Sequence, residues 1–186
     1  MDPVMLMKRH TKILYIALVL CLVAPASVVA QGDLADPLEP FRPYLDKTWK
    51  GKFENQESEK PVYDVARWER ALNGQAIRVL HSVDDGAYGG ESLIFWDAEK
   101  KGLVFYYFTT AGYFTTGTVT FEDNNFVTHE TVKGTGANGI TEVKSMSELT
   151  PEGRMISKAQ YLRNGQWEAG HEVTYEEDAS AQVVFK

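Results

Sequence analysis

The chemistry this sequence offers is carried by three histidines, two arginines and many aromatic rings. His81, His129 and His171 fall on three separate stretches of alternating polar and apolar residues. A neutral imidazole ligates transition metals and acts as a general base near neutral pH. Three such rings meeting inside one fold would hold zinc, copper or haem. No His-x-His or His-Glu-x-x-His spacing is present, however, so no metal and no cofactor is expected. A general base would stand at His129 beside Glu130 or at His171 beside Glu172. Arg67 and Arg78 flank the Asn73-Gly74 pair. Turned into an apolar interior, a guanidinium would grip the head group of an acidic ligand such as a fatty acid. On a solvated face it would make a cross-strand ion pair of small worth. Trp49, Trp68, Trp96 and Trp167 would either stack on a ligand or pack the core.

Other constellations fall away. Asp84-Asp85 and Glu176-Glu177 lack the spacing of a calcium loop and read as solvated turns. Ser82 adjoins His81, but neighbours on a strand point to opposite faces, so no nucleophile–base pair follows. Gly134-Thr135-Gly136 precedes a strand and not a helix, which excludes a phosphate loop.

These residues must be positioned by strands. Seven of the 22 aromatic residues fall within Leu103–Phe121, with Thr and Val filling most of the rest. Aromatic and β-branched side chains suit a pleated, half-buried surface. The Ala111-Gly112 pair interrupts the run, which reads as a hairpin. If the turn keeps the register, Phe105, Tyr107, Tyr113 and Thr115 share one face. Tyr106, Phe108, Phe114 and Thr116 share the other. Period-two alternation continues through Thr48–Phe53, Val62–Leu72, Ala76–Val83, Ser92–Trp96, Phe126–Lys133, Ile140–Leu149, Met155–Leu162 and Trp167–Tyr175. On the last of these, Trp167, Ala169, His171, Val173 and Tyr175 would share a face. Asn73-Gly74 and Asn164-Gly165 predict two-residue hairpin turns. Asp84–Gly90 reads as a loop, and Ala181–Phe185 as a short strand or tail. Asp36-Pro37-Leu38-Glu39 predicts a short helix capped by Asp36 and limited to one or two turns by Pro40 and Pro43. Ten strands joined by tight turns predict an all-β, antiparallel up-and-down barrel, since closure removes the sheet edges. A two-sheet sandwich is the alternative.

The N-terminus carries a basic cluster (Lys8, Arg9, His10, Lys12) and an apolar run of 12 residues, Ile13–Ala24, followed by small residues. This pattern predicts a secretory signal peptide over residues 1–30, cut after Ala26 or Ala30. The run is short for a membrane anchor, so no membrane span is expected after cleavage. A single domain over 31–186, periplasmic or secreted, would remain. Of the 19 basic and 26 acidic residues, Lys8, Arg9, Lys12 and Asp2 lie in the leader, leaving 16 and 25, a net of −9. That balance argues against nucleic acid as a partner. The only cysteine, Cys21, also lies in the leader, so the domain would rest on its core without a disulfide.

Leu45-Asp46-Lys47-Thr48-Trp49-Lys50-Gly51 resembles the opening strand of the calycin superfamily, the lipocalins and fatty-acid-binding proteins. The chain more closely resembles a bacterial group of lipocalin-like barrel domains without an assigned activity. The shared pattern is Thr48-Trp49-Lys50-Gly51, Trp68-Glu69 before Asn73-Gly74, Trp96-Asp97, and Asn164-Gly165-Gln166-Trp167. It spans most of residues 38–176. The resemblance implies a calycin-like barrel with one end plugged by the N-terminal helix. In a related group of such barrels a single His binds haem, and by place in the chain His171 would be its counterpart.

The function expected from these readings is binding of a small apolar or amphipathic ligand inside the barrel. Arg67, Arg78, Trp96, Phe105, Tyr107, Tyr113, His129 and His171 are the candidate lining residues. An enzyme using a pocket His and a homodimer formed through the aromatic hairpin are the rival expectations.

Overall fold

The computed structural model describes residues 33–54, 59–123 and 125–186. The expected signal peptide, part of the loop after Glu54 and Asn124 lie outside the described residues. No helix among the described residues is long and apolar enough to cross a membrane.

Ten antiparallel strands follow one another: β1 (Lys47–Phe53), β2 (Tyr63–Ala71), β3 (Ala76–Val83), β4 (Tyr88–Asp97), β5 (Gly102–Thr109), β6 (Phe114–Glu122), β7 (Asn125–Lys133), β8 (Ile140–Leu149), β9 (Met155–Arg163) and β10 (Gln166–Glu177). Each pairs with its neighbour in the chain, and β1 pairs with β10, so the sheet is a closed barrel. The β1–β10 pairing, from Trp49 opposite Glu177 to Phe53 opposite Val173, excludes the sandwich. In the aromatic hairpin Phe105 faces Gly117, Tyr107 faces Thr115 and Phe108 faces Phe114. The turn therefore keeps the register. Phe105, Tyr107, Tyr113 and Thr115 face the interior. Tyr106, Phe108 and Phe114 are exposed and stack in a row with Phe95 on the outer wall.

Four local expectations are corrected. The N-terminal helix is a nine-residue 3₁₀ helix, Asp36–Tyr44, and no side chain caps it; Ala35, not Asp36, is its cap residue. Two prolines within it remove donors that an α-helix needs, and the chain winds more tightly. At three residues per turn, Leu38, Phe41 and Tyr44 fall on one face, and all three are buried. The Phe41 ring packs on Trp68, Phe121 and Phe126, and the Tyr44 carbonyl accepts the Trp49 indole N–H at 3.2 Å. This face plugs one end of the barrel.

The Asn73-Gly74 turn has four residues, since pairing ends at Ala71 and Ala76. Leu72, Asn73 and Gly74 all take positive φ. The Gly74 carbonyl accepts the Ala35 N–H at 2.9 Å, and a Cβ on Gly74 would collide with the Asp33 carbonyl. The turn thus docks the segment that leads into the plug. Strand β4 begins at Tyr88, inside the expected loop, because Gly89 and Gly90 pair in the sheet. Finally, β10 carries one extra residue between Ala169 and Glu172. This bulge reverses the alternation, a known effect of one inserted residue. Trp167 consequently packs outside, against His129 and under Lys144, while His171 and Tyr175 face inward. The tail after Glu177 is irregular, and the Val184 N–H donates to Ser82 Oγ at 3.0 Å.

Candidate functional site

The unplugged half of the barrel encloses a cavity of about 490 Å³. Four glycines make room for its aromatic walls. A Cβ on Gly51 would overlap the Tyr175 ring, and one on Gly90 the Tyr107 ring. On Gly117 and Gly170 it would stand 2.6 Å from Phe105 Cε1 and 2.9 Å from Tyr161 Cζ. Each ring lies flat over a neighbouring strand that offers no side chain there.

A row of hydrogen bonds crosses the cavity wall through five strands and the approach to a sixth. Asp64 on β2 accepts from the Tyr175 hydroxyl at 2.7 Å through Oδ2 and from His81 Nδ1 at 3.1 Å through Oδ1. His81 Nε2 lies 2.7 Å from the Tyr107 hydroxyl, which is 2.8 Å from that of Tyr88, itself 2.8 Å from that of Tyr113. A carboxylate only accepts, so Tyr175 and His81 Nδ1 both donate to Asp64. Along Tyr107, Tyr88 and Tyr113 either hydroxyl of each pair can donate. The far end of the row, the Tyr113 oxygen, keeps free acceptor capacity. Burial pushes the Tyr88 and Tyr107 phenols well above their ordinary range, so both stay neutral.

Two further groups line the cavity. The Tyr161 hydroxyl and His171 Nδ1 are 2.6 Å apart, and the Phe53 ring meets the imidazole edge-on. Burial lowers the His171 pKa, so this ring is neutral. Glu130 on β7 accepts from Thr115 Oγ1 at 2.5 Å. Burial raises its pKa more than that hydrogen bond and the nearby His129 lower it. Among the described residues, no Lys or Arg lines the cavity, and no ion pair holds Glu130. At the floor, the Trp68 indole N–H is buried without a hydrogen-bond partner.

Of the expected lining residues, Phe105, Tyr107, Tyr113 and His171 are brought together here. Arg67, Arg78, Trp96 and His129 do not line the cavity. Arg67 pairs with Glu69, and Arg78 with Glu91 at 2.9 Å, on the outer wall. Trp96 is 42% exposed, and His129 points outward to Glu142 at 2.7 Å. For Arg67, Arg78 and His129 the physical reason is alternation: Ala66, Trp68, Val79 and Glu130 take the inward positions beside them. Trp96 has the parity of the inward Ser92 and Ile94, but it stands at the end of β4, next to Asp97, and does not reach the cavity. Sequence reasoning missed Asp64, Tyr88, Glu130, Tyr161 and Tyr175. A signal existed for two of them. Asp64 shares its parity with Ala66 and Trp68, and Glu130 shares its parity with Phe126.

No protein-family model and no curated protein sequence matches the chain. Among solved structures it is similar to the crystal structure of Rv2717c from M. tuberculosis, at 12% identity and a TM-score of 0.57. The match covers 78% of this chain and 99% of that one. At this identity the likeness extends to the barrel fold.

Proposed function

We propose that this chain is an exported, calycin-like binding protein whose barrel holds one small, largely apolar molecule with a single polar end. The carrying observation is the row from Asp64 to Tyr113, which lines polar groups along one side of a cavity whose remaining wall is largely aromatic and aliphatic, with scattered Ser and Thr hydroxyls. Small-molecule sites are built this way, with few orienting polar groups in an apolar wall. The basic and apolar leader supports export. An acidic head group is disfavoured, because the arginines that would bind it are paired outside and Asp64 and Glu130 face inward. The test is titration with a neutral fluorescent naphthylamine. Saturable binding of one probe per chain is expected. It should be lost in Ser145→Trp and in Val143→Trp, each of which fills the cavity; a thermal melt confirms that the variants fold. No saturable binding by the wild type, or unchanged binding in both folded variants, would overturn the reading.

An acid–base enzyme is the second reading, favoured by Asp64, His81 and Tyr107 standing in the order carboxylate, imidazole, hydroxyl. The raised Tyr107 pKa suits a hydrogen-bonding phenol better than a nucleophile. A haem or metal would rest on His171 alone, with Tyr161 holding Nδ1 and Nε2 as the ligating nitrogen. Among the described residues, no group of three or more His, Cys, Asp or Glu side chains is placed to hold a metal ion. The donor set therefore fits an organic ligand better than an ion.

A further inference from the structure

We infer that the polar end of the ligand is a cation, a protonated or quaternary amine on an apolar body. This rests on the reading of the barrel as a binding protein and names the class of molecule it takes.

Three features of the cavity converge on a positive charge. The first is the sign of its walls. Asp64 and Glu130 are the acids that line it, and among the described residues no Lys or Arg stands beside them. Asp64 is already engaged by Tyr175 and His81. Glu130 has the Thr115 hydroxyl and no counter-charge within the cavity. Its pKa is raised by burial against the Thr115 hydrogen bond, and a cation beside it would stabilise the ionised carboxylate.

The second is the open end of the row. The Tyr113 hydroxyl, bonded to Tyr88 at 2.8 Å, ends the row at the cavity and keeps oxygen lone pairs there. A ligand that donates hydrogen bonds or carries positive charge is matched there.

The third is the surrounding π surface. Tyr88, Tyr107, Tyr113, Tyr161 and Phe105 supply rings around the same space. The faces of aromatic rings attract cations, and more strongly where water is excluded. Tyr88 and Tyr161 lie close enough to Glu130 for its charge to raise their pKa values. Carboxylate and rings line one cavity. The overall charge of −7 adds long-range attraction for a cation.

The experiment is displacement of the neutral naphthylamine from the full chain by four compounds that share one body: 3-phenylpropylammonium, its trimethylammonium analogue, 3-phenylpropanol and 3-phenylpropanoate. The two cations are expected to bind about tenfold or more tighter than the alcohol, with the carboxylate weakest. Glu130→Gln, which keeps shape and removes charge, should abolish the preference. Tyr113→Phe should weaken the cations more than the alcohol. If the alcohol binds as tightly as the cations, or if Glu130→Gln keeps the preference, the inference is overturned while the binding reading stands. If the naphthylamine itself fails to bind, the binding reading falls and this inference with it.

Discussion

Gly51 and Tyr175 stand opposite each other on β1 and β10, and the ring of one fills the space left by the missing side chain of the other. That fit lets the Tyr175 hydroxyl reach Asp64 Oδ2 at 2.7 Å from a buried position. A methyl group at Gly51 must displace the ring. Gly51→Ala is expected to destabilise the barrel by about 1–3 kcal/mol, the usual effect of overpacking. Tyr175→Phe keeps the ring and leaves Asp64 short of a donor, which costs about 1–3 kcal/mol. Because both changes break the same bond, the double variant should lose less than the sum, as a urea-denaturation cycle will measure. Strict additivity would mean that the ring does not carry the strain.

Five phenols titrate abnormally for one reason. Burial raises the pKa of Tyr44, Tyr88, Tyr107, Tyr161 and Tyr175. In the unfolded chain a tyrosine ionises near pH ~10. The contribution of these groups to stability is therefore fully present below about pH 10 and lost as pH rises toward their folded values. A near-ultraviolet titration should show these five ionising together with loss of the β-sheet circular dichroism signal. Ionisation of all tyrosines in one smooth step, with the fold intact, would contradict the buried row.

Alternation made the wall of this barrel legible, but not everything that faces inward. All ten strands follow from period-two patterning and tight turns. The inward set Phe105, Tyr107, Tyr113 and Thr115 follows from one register. Arg67 and Arg78 drew attention through their charge, yet a charge on a half-buried sheet usually faces water, and both do. Glu130 and Asp64 show the reverse case: an acid at an inward position reads like any other polar residue until its neighbours are known. His171, Val173 and Tyr175 share a face, as the alternation predicts, but Trp167 does not share it with them. The bulge at Gly170 changes parity midway along β10, and a single glycine is weak warning of it.

The plug and the outer ion pairs should differ sharply in worth. Phe41 is fully buried at the barrel end, in contact with the rings of Tyr44, Trp68, Phe121 and Phe126. Phe41→Ala is expected to cost about 3–5 kcal/mol, from lost burial and the cavity left behind. Arg78 lies between Glu69 and Glu91 with its side chain 40% exposed. Arg78→Ala should cost about 0–1 kcal/mol, since exposed pairs are screened. Chemical denaturation of both variants settles the comparison. An Arg78→Ala loss equal to that of Phe41→Ala would show that the outer wall carries stability assigned here to the plug.

Glu130 ties stability and ligand binding to the same proton. Its folded pKa lies above the unfolded value of about 4.3, with burial as the main cause and Thr115 and His129 opposing it. A raised carboxyl pKa means that its contribution is fully present below about pH 4 and falls as pH rises through the folded value. Tyr88 and Tyr161 across the cavity are neutral in that window, as is Thr115, so they do not mask the change. Wild type should therefore lose stability relative to Glu130→Gln as pH rises above about 4, and the two curves should meet at the acid end. Denaturant midpoints across this range provide the measurement. A bound cation needs the ionised carboxylate, so affinity for 3-phenylpropyltrimethylammonium should rise with pH over the same interval in the wild type. In Glu130→Gln it should stay flat. Parallel stability curves at every pH would remove Glu130 as the titrating group, and a flat wild-type affinity would remove it from the site of the charge.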